Sequence, residues 1–261
     1  MAKGLAEVGA DLVLVGRGEE ALQAAKAALA ETGRSVETLS ADVGEPTASE
    51  AAARRVVEQW GPVDILINNV GGRRIDVPTE KLELAGWQRI MDLNLTSAFL
   101  WSKEVGGAML DRGWGRVINV ASISGMIANR GIMGRTYETS KAAMIQFTRA
   151  LAADWAPRGV TVNAIAPGAL TRLTGDLEMS DEVRRNFDPA WVAPVITWLA
   201  STDSADVTGQ VIEANGMVLA IAEGWHRGPT TKPVESPEEV GPLVRKLVAD
   251  ARPRTFFQEV N

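Results

Sequence analysis

The chain has 261 residues, enough for one α/β domain that buries about 70–75% of its unfolded surface, and its 33 acidic against 27 basic side chains give a net charge of −6 and a pI near 5.1. That balance excludes the basic face a phosphate-backbone partner requires, so no nucleic acid is expected. With no cysteine and His226 as the single histidine, thiol catalysis, disulfides and metal clusters built on thiolate or imidazole are excluded. No run reaches the ~18 apolar residues of a membrane span, so a cytoplasmic protein without metal or membrane partner is expected.

Residues 1–10 read as the second half of a helix. Strand-like apolar runs then recur at 11–16, 35–40, 63–68, 116–121, 159–165 and 209–213, while 19–29, 49–60, 80–94, 96–110 and 137–155 are rich in Ala, Leu, Glu and Arg. The alternation predicts an α/β fold: a Rossmann-like, doubly wound parallel sheet in a three-layer α/β/α sandwich. Gly16-Arg17-Gly18-Glu19-Glu20-Ala21, between the first strand and its helix, has the form of a Gly-x-Gly-x-x-Ala dinucleotide fingerprint. Glu19 and Glu20 put two carboxylates at the helix N-terminus where a pyrophosphate would lie, so we read it as a decoy.

Further on, 126–136 and 170–183 mix apolar and polar residues and read as substrate loops. Asp188 and Pro189 suit an N-cap and first helical position, and Trp191, Pro194, Val195, Trp198 and Leu199 read as a core-packing stripe. The domain is expected to cover 1–224. A more polar extension, 225–261, follows, with Ser236-Pro237-Glu238-Glu239 starting a helix that runs through 240–249.

The chemistry centres on Tyr137, the only tyrosine, which stands four positions before Lys141. On a helix that spacing puts both side chains on one face. An ammonium beside a phenol stabilises the phenolate, which makes the pair a general acid and base; an unrelated surface pair is the bland alternative. Upstream, 115–121 is a strand that delivers Ser122 and Ser124 into a turn, and the carboxyl edge of an open α/β sheet is where ligands bind. Asn68-Asn69-Val70-Gly71 follows another strand, Asn94 lies within Met91-Asp92-Leu93-Asn94-Leu95, and Pro167-Gly168 follows a third.

Taken in this order, from Asp11 to about Gly216, these segments closely resemble the short-chain dehydrogenase/reductase family. The resemblance implies Tyr137 as catalytic acid/base, Ser122 as hydrogen-bond donor to the substrate oxygen, Lys141 as the residue that holds the nicotinamide ribose and tunes Tyr137, and Asn94 as anchor of a proton-relay water. Ser124 rivals Ser122, which is preferred because Gly125 follows it by three positions. On the cofactor side, Asp42 and Val43 resemble the pair against adenine, Asn69, Val70 and Gly71 the segment beside the adenosine ribose, and Pro167, Gly168 and Thr171 the nicotinamide end. Arg17 closes the first strand, where a basic residue suits a 2′-phosphate, so NADP is favoured with NAD as the alternative.

The family also opens with a strand and a Thr-Gly-x-x-x-Gly-x-Gly loop, to which 1–10 has no counterpart. The expectation is a 3-2-1-4-5-6 sheet without its middle strand, two neighbours left unpaired there, and weak NADP binding for want of a phosphate cradle. Residues 94–168 look like sugar-acid and polyol dehydrogenases and 3-oxoacyl carrier-protein reductases. Residues 167–174 and 188–198 are similar to the 3-hydroxyacyl-CoA dehydrogenase part of peroxisomal multifunctional enzymes. The resemblance implies hydride transfer between nicotinamide and a carbonyl or secondary alcohol, with a 3-oxoacyl or 3-hydroxyacyl thioester favoured, a sugar acid or polyol as the alternative, and a catalytically idle member as the third reading. The helices bearing Trp101 and Tyr137 resemble those that pair in family tetramers, so a homo-tetramer or homo-dimer acting on a small molecule is expected.

Overall fold

The structure, a computed structural model, describes residues 1–72, 75, 77–127, 135–170, 180–224, 227–234 and 237–251. The chain divides into two compact units, Met1–Ala222 and Glu223–Asn261. The first runs α1 (Ala2–Glu7), β1 (Leu12–Gly16), α2 (Glu19–Leu29), β2 (Val36–Ser40), α3 (Pro46–Trp60), β3 (Ile65–Asn68), α4 (Leu84–Met91), α5 (Ser97–Arg112), β4 (Gly115–Val120), α6 (Arg135–Trp155), β5 (Val160–Pro167), α7 (Asp181–Asn186), α8 (Ala193–Ala200), β6 (Val211–Ala214) and β7 (Leu219–Ile221). The second holds α9 (Pro237–Asp250), where Lys246 and Asp250 pair at 2.8 Å.

Local chemistry sets several boundaries. Pro46 starts α3 because the Glu45 carboxylate accepts from the Thr47 and Ala48 amides at 3.2 and 2.6 Å, which satisfies donors the first turn cannot, and proline has no amide to lose there. The sequence reading began this helix three residues late for want of that cap. β7 was not foreseen. It is an exposed edge strand, antiparallel to β6, and its Leu219 and Ile221 are exposed.

The tryptophan stripe needs correction. Asp188 does cap a short 3₁₀ turn, accepting from the Ala190 amide at 2.8 Å, but Trp191, Pro194 and Trp198 are exposed. The face that meets the sheet is Val192, Ile196, Leu199 and Ala200, about one position out of phase with the expected stripe, of which Leu199 and the half-buried Val195 still pack there.

The sheet comes in two pieces. β1 and β2 form a parallel pair, and β3-β4-β5-β6-β7 form a five-stranded piece in which only β7 is antiparallel. Both pieces share the same helical layers. On one face Val13, Val15 and Leu39 pack with Leu66, Trp101, Val105, Val117 and Val162; on the other Leu12 joins Leu5, Ile118, Ile165, Ile196 and Leu199. β1 and β3, which face each other across the break, are mostly half-buried, whereas β4 and β5 are buried nearly throughout. The arrangement is the α/β/α sandwich the sequence predicts.

Among the described residues, no helix is long and apolar enough to cross a membrane, and no group of three or more His, Asp or Glu stands ready to hold a metal.

Candidate active site

Register brings the site together. Asn68 pairs with Asn119 and Val120 with Ile165, so β3, β4 and β5 end side by side, and the segments that leave them, 69–72, 122–125 and 167–170, share one edge of the sheet. The turn after β4 lies directly on α6. A Cβ at Gly125 would stand 2.6 Å from the Lys141 carbonyl carbon and 2.8 Å from the Ala142 nitrogen, so only glycine permits that approach. Ser122 caps this turn by accepting from the Ser124 amide at 3.1 Å. Ser124 is buried and Ser122 half-buried, which leaves Ser122 the more accessible of the two hydroxyls.

Tyr137 and Lys141 sit one turn apart on α6, with the Lys141 Nζ 5.9 Å from the centre of the phenol ring. Lys141 is 3% exposed and its Nζ donates to the Val120 carbonyl at 2.7 Å. Burial without a carboxylate partner penalises the charged form and lowers its pKa to about 8. An ammonium carries three donors, and Val120 is its one hydrogen-bond acceptor among the described residues.

Gly71 closes the far side. A Cβ there would lie 2.9 Å from both the Lys141 Nζ and the Asn94 Oδ1. Asn94 is fully buried within a π turn, Asp92–Thr96, that joins α4 to α5 and widens the helix by a residue. Its Oδ1 accepts from the Gly72 amide at 2.9 Å, while its Nδ2 donates to the Gly72 carbonyl at 3.2 Å and the Ile90 carbonyl at 2.9 Å. Gly72 has φ 132°, a backbone that side-chain-bearing residues rarely adopt. Asn94 therefore clamps the 71–72 backbone against Lys141.

Beneath this cluster runs a buried polar chain that the sequence reading missed. Asn68 donates to Asn119 at 2.8 Å, Asn119 to the Thr148 hydroxyl at 2.9 Å, and Thr148 to the Met144 carbonyl at 2.8 Å, tying β3 and β4 to α6. The available signal was an asparagine inside an otherwise apolar buried strand, which must find partners.

The remaining expected cofactor positions are more scattered. Arg17 and Asp42 leave the ends of β1 and β2 exposed and 3.8 Å apart. Val43 packs in the core, whereas Asn69 and Val70 are exposed. Pro167 ends β5, and the Gly168 amide donates to Ala214 at 2.9 Å. Thr171 lies outside the described residues. Gly18 caps α2, whose first turn carries Glu19 and Glu20.

A three-layer parallel fold with a phenol, an ammonium and a serine at the carboxyl edge of its sheet defines an oxidoreductase scaffold of the dinucleotide-binding type. The model of the short chain dehydrogenase family matches residues 1–182. The chain is 38% identical over 203 residues to acetoacetyl-CoA reductase of Allochromatium vinosum, covering 73% of this chain and 80% of the relative. It is 33% identical to galactitol 2-dehydrogenase of Rhizobium johnstonii, covering 81% and 86%. The crystal structure of actinorhodin polyketide ketoreductase with NADPH superposes with a TM-score of 0.71 at 32% identity, over 81% of this chain and 88% of that one. The chain belongs to the short-chain dehydrogenase family.

Proposed function

We propose that the protein transfers a hydride between NADP and a carbonyl or secondary alcohol, with 3-oxoacyl or 3-hydroxyacyl thioesters as its substrate class. The observation that carries this reading is the buried ammonium of Lys141, short of acceptors among the described residues and one helical turn from the sole tyrosine. Two ribose hydroxyls would supply the acceptors it lacks, so the residues fit the nicotinamide end of the cofactor. Bound there, the nicotinamide supplies or takes up the hydride.

The chain's own residues handle the oxygen and the proton. Ser122 donates a hydrogen bond to the carbonyl oxygen, which stabilises the negative charge that develops as hydride arrives. Tyr137 then gives its proton to that oxygen, and Lys141 stabilises the phenolate left behind. In the oxidative direction the phenolate removes the alcohol proton instead. Asn94 spends its amide on Gly72 and Ile90, which leaves one lone pair of Oδ1 for a relay water. The Ser124 backbone amide, donating to the Ser122 Oγ at 3.1 Å, helps to position that hydroxyl.

Arg17, exposed at the end of β1, supports NADP over NAD. The acetoacetyl-CoA reductase relative supports the thioester. The galactitol dehydrogenase relative supports a second reading, a polyol or sugar-acid substrate. The exposed Phe99 of α5, edge-on to Phe147 of α6 at 6.5 Å, supports a homo-dimer or homo-tetramer, whereas Trp101 belongs to the core. A cytoplasmic enzyme is consistent with a chain free of cysteine.

The adenosine and phosphate side is weaker. Among the described residues, the only strand-to-helix turn with the fingerprint spacing is 16–18, followed by two carboxylates, so NADPH is expected to bind no tighter than about 1 mM against the μM–mM range common for enzyme ligands. A fluorescence titration with NADPH checks this, and micromolar binding contradicts it. At saturating NADPH, acetoacetyl-CoA should be reduced and Tyr137→Phe should lose at least ~100-fold in kcat with an unchanged fold. Equal rates for parent and variant would refute the assignment. Turnover of sugar acids but not thioesters selects the second reading, and NADPH binding without turnover of either selects an idle family member.

A further inference from the structure

A pocket of about 360 Å³ opens beside the first residues of β4 and β5, at the opposite edge of the sheet from Ser122 and Tyr137. Trp114, Ala156 and Ala205 wall it, and Arg116, Thr161 and Thr208 are polar members of its lining. From Arg116 to Ser122, about six residues of extended chain at ~3.3 Å each give roughly 20 Å, so the pocket is separate from the catalytic edge.

Arg116 is 2% exposed, yet no carboxylate of the described residues stands within ion-pair distance of it, whereas Arg112 and Arg158 pair with Asp64 and Asp111. Buried charges are ordinarily paired. Burial without a counter-charge penalises this cation and lowers its pKa. Its Nε donates to the Ser201 carbonyl, just past the end of α8, and its Nη1 to the Gly115 carbonyl, both at 3.0 Å. A guanidinium has five N–H groups, so three of them, on Nη1 and Nη2, have no acceptor among the described residues. The Cζ stands 4.7 Å from the centre of the Trp114 ring. Thr161 is paired with Arg116 across β4 and β5, which puts both side chains on one face of the sheet; it is 5% exposed and its hydroxyl has no hydrogen-bond partner among the described residues. The Thr208 Oγ1 accepts from the Val162 amide at 3.1 Å and keeps its own proton to donate.

We infer that this pocket binds a small organic carboxylate, whose oxygens take the free Nη1 and Nη2 hydrogens of Arg116 while its apolar body lies against Trp114, Ala156 and Ala205. A planar fork of donors matches a planar carboxylate, and the Thr161 and Thr208 hydroxyls supply further donors beside it. The volume decides against a bare inorganic anion: at ~30 Å³ per water, 360 Å³ holds about twelve waters, most of which such an ion would leave in place. Charge decides against a phosphate, because Asp203 and Asp206 flank Ala205 in the chain, and their repulsion costs a dianion more than a monoanion. The inference is independent of the proposed reaction.

Isothermal titration calorimetry of the full chain tests it, with benzoate as the probe, benzamide as its uncharged counterpart and inorganic phosphate as the small anion. Benzoate should bind one-to-one and at least ~10-fold tighter than either of the others, since only it offers a carboxylate to the fork and a ring to the walls. Ala205→Trp fills the pocket from its exposed rim without touching the bonds of Arg116, and should abolish benzoate binding while leaving the thermal melt unchanged. Thr161→Val should weaken benzoate at least ~3-fold. Benzamide or phosphate binding as tightly as benzoate would overturn the inference, as would benzoate binding that survives Ala205→Trp, which would place the probe elsewhere. Absence of benzoate binding up to about 20 mM would overturn it as well.

Discussion

Replacing Lys141 by methionine keeps nearly the same volume and removes a charge that the fold holds at a loss. Burial lowers the ammonium's pKa from 10.5 to about 8, a fall worth about 3 kcal/mol at ~1.4 kcal/mol per pH unit. In the unfolded chain the amine regains its ordinary value. Below pH 8 both states hold the proton, and the native state carries the full penalty of a buried ammonium. Between pH 8 and 10.5 the unfolded chain binds more protons than the native one, so parent stability rises with pH, and above 10.5 the penalty is gone. The methionine variant has no such group. Its stability relative to the parent should therefore be flat up to pH 8 and then fall by about 3 kcal/mol by pH 10.5. Loss of the bond to the Val120 carbonyl shifts the whole difference down by about 1–3 kcal/mol without altering its shape. Urea unfolding of both proteins at half-unit steps from pH 7 to 10.5 measures this, and taking the difference cancels every other titrating group. A difference that stays constant, or grows in favour of the variant, would refute the claim that burial weakens this ammonium.

Gly125→Ala drives a methyl group into the α6 backbone at Lys141. It should lower stability by about 1–3 kcal/mol and reduce kcat at least ~10-fold as Ser122 moves off the helix; thermal melts and turnover read both, and a fully active, fully stable variant would show that the turn does not rest on α6. Ser102→Ala should be neutral or stabilising by about 1 kcal/mol, because the buried Ser102 Oγ has no hydrogen-bond partner among the described residues. A loss of more than ~1 kcal/mol in urea unfolding would mean that the hydroxyl has a partner after all.

The strands were legible where burial on both faces makes them uninterrupted apolar runs, as in β4 and β5. β7 was not, because its residues are exposed and only its pairing with β6 makes it a strand. The phase of α8 was misjudged for a related reason: two tryptophans outweigh their neighbours in any apolar pattern, yet the side that meets β4 and β5 is Val192, Ile196 and Leu199. In the site, helical spacing alone paired Tyr137 with Lys141. Nothing local announced that Lys141 would be buried and tethered to Val120, a residue 21 positions away. The π turn at Asn94 was hidden because a widened turn leaves the surrounding helical pattern intact, so 80–94 and 96–110 read as two helices.

The break in the sheet bears unequally on the two halves of the site. Ser122, Tyr137, Lys141 and Asn94 all belong to the turn after β4, to α6 and to the α4–α5 junction, beside the continuous five-stranded piece, and are linked through Val120, the Gly71–Gly72 backbone and the Gly125 turn. Arg17 and Asp42 ride on the two-stranded piece, while Asn69, Val70 and Gly71 ride on the other. Only shared helix packing sets the distance between those two groups, since no backbone hydrogen bond joins β1 to β3. A cofactor that spans both must therefore hold the two pieces at one distance as it binds, which costs affinity and leaves the proton-transfer geometry intact.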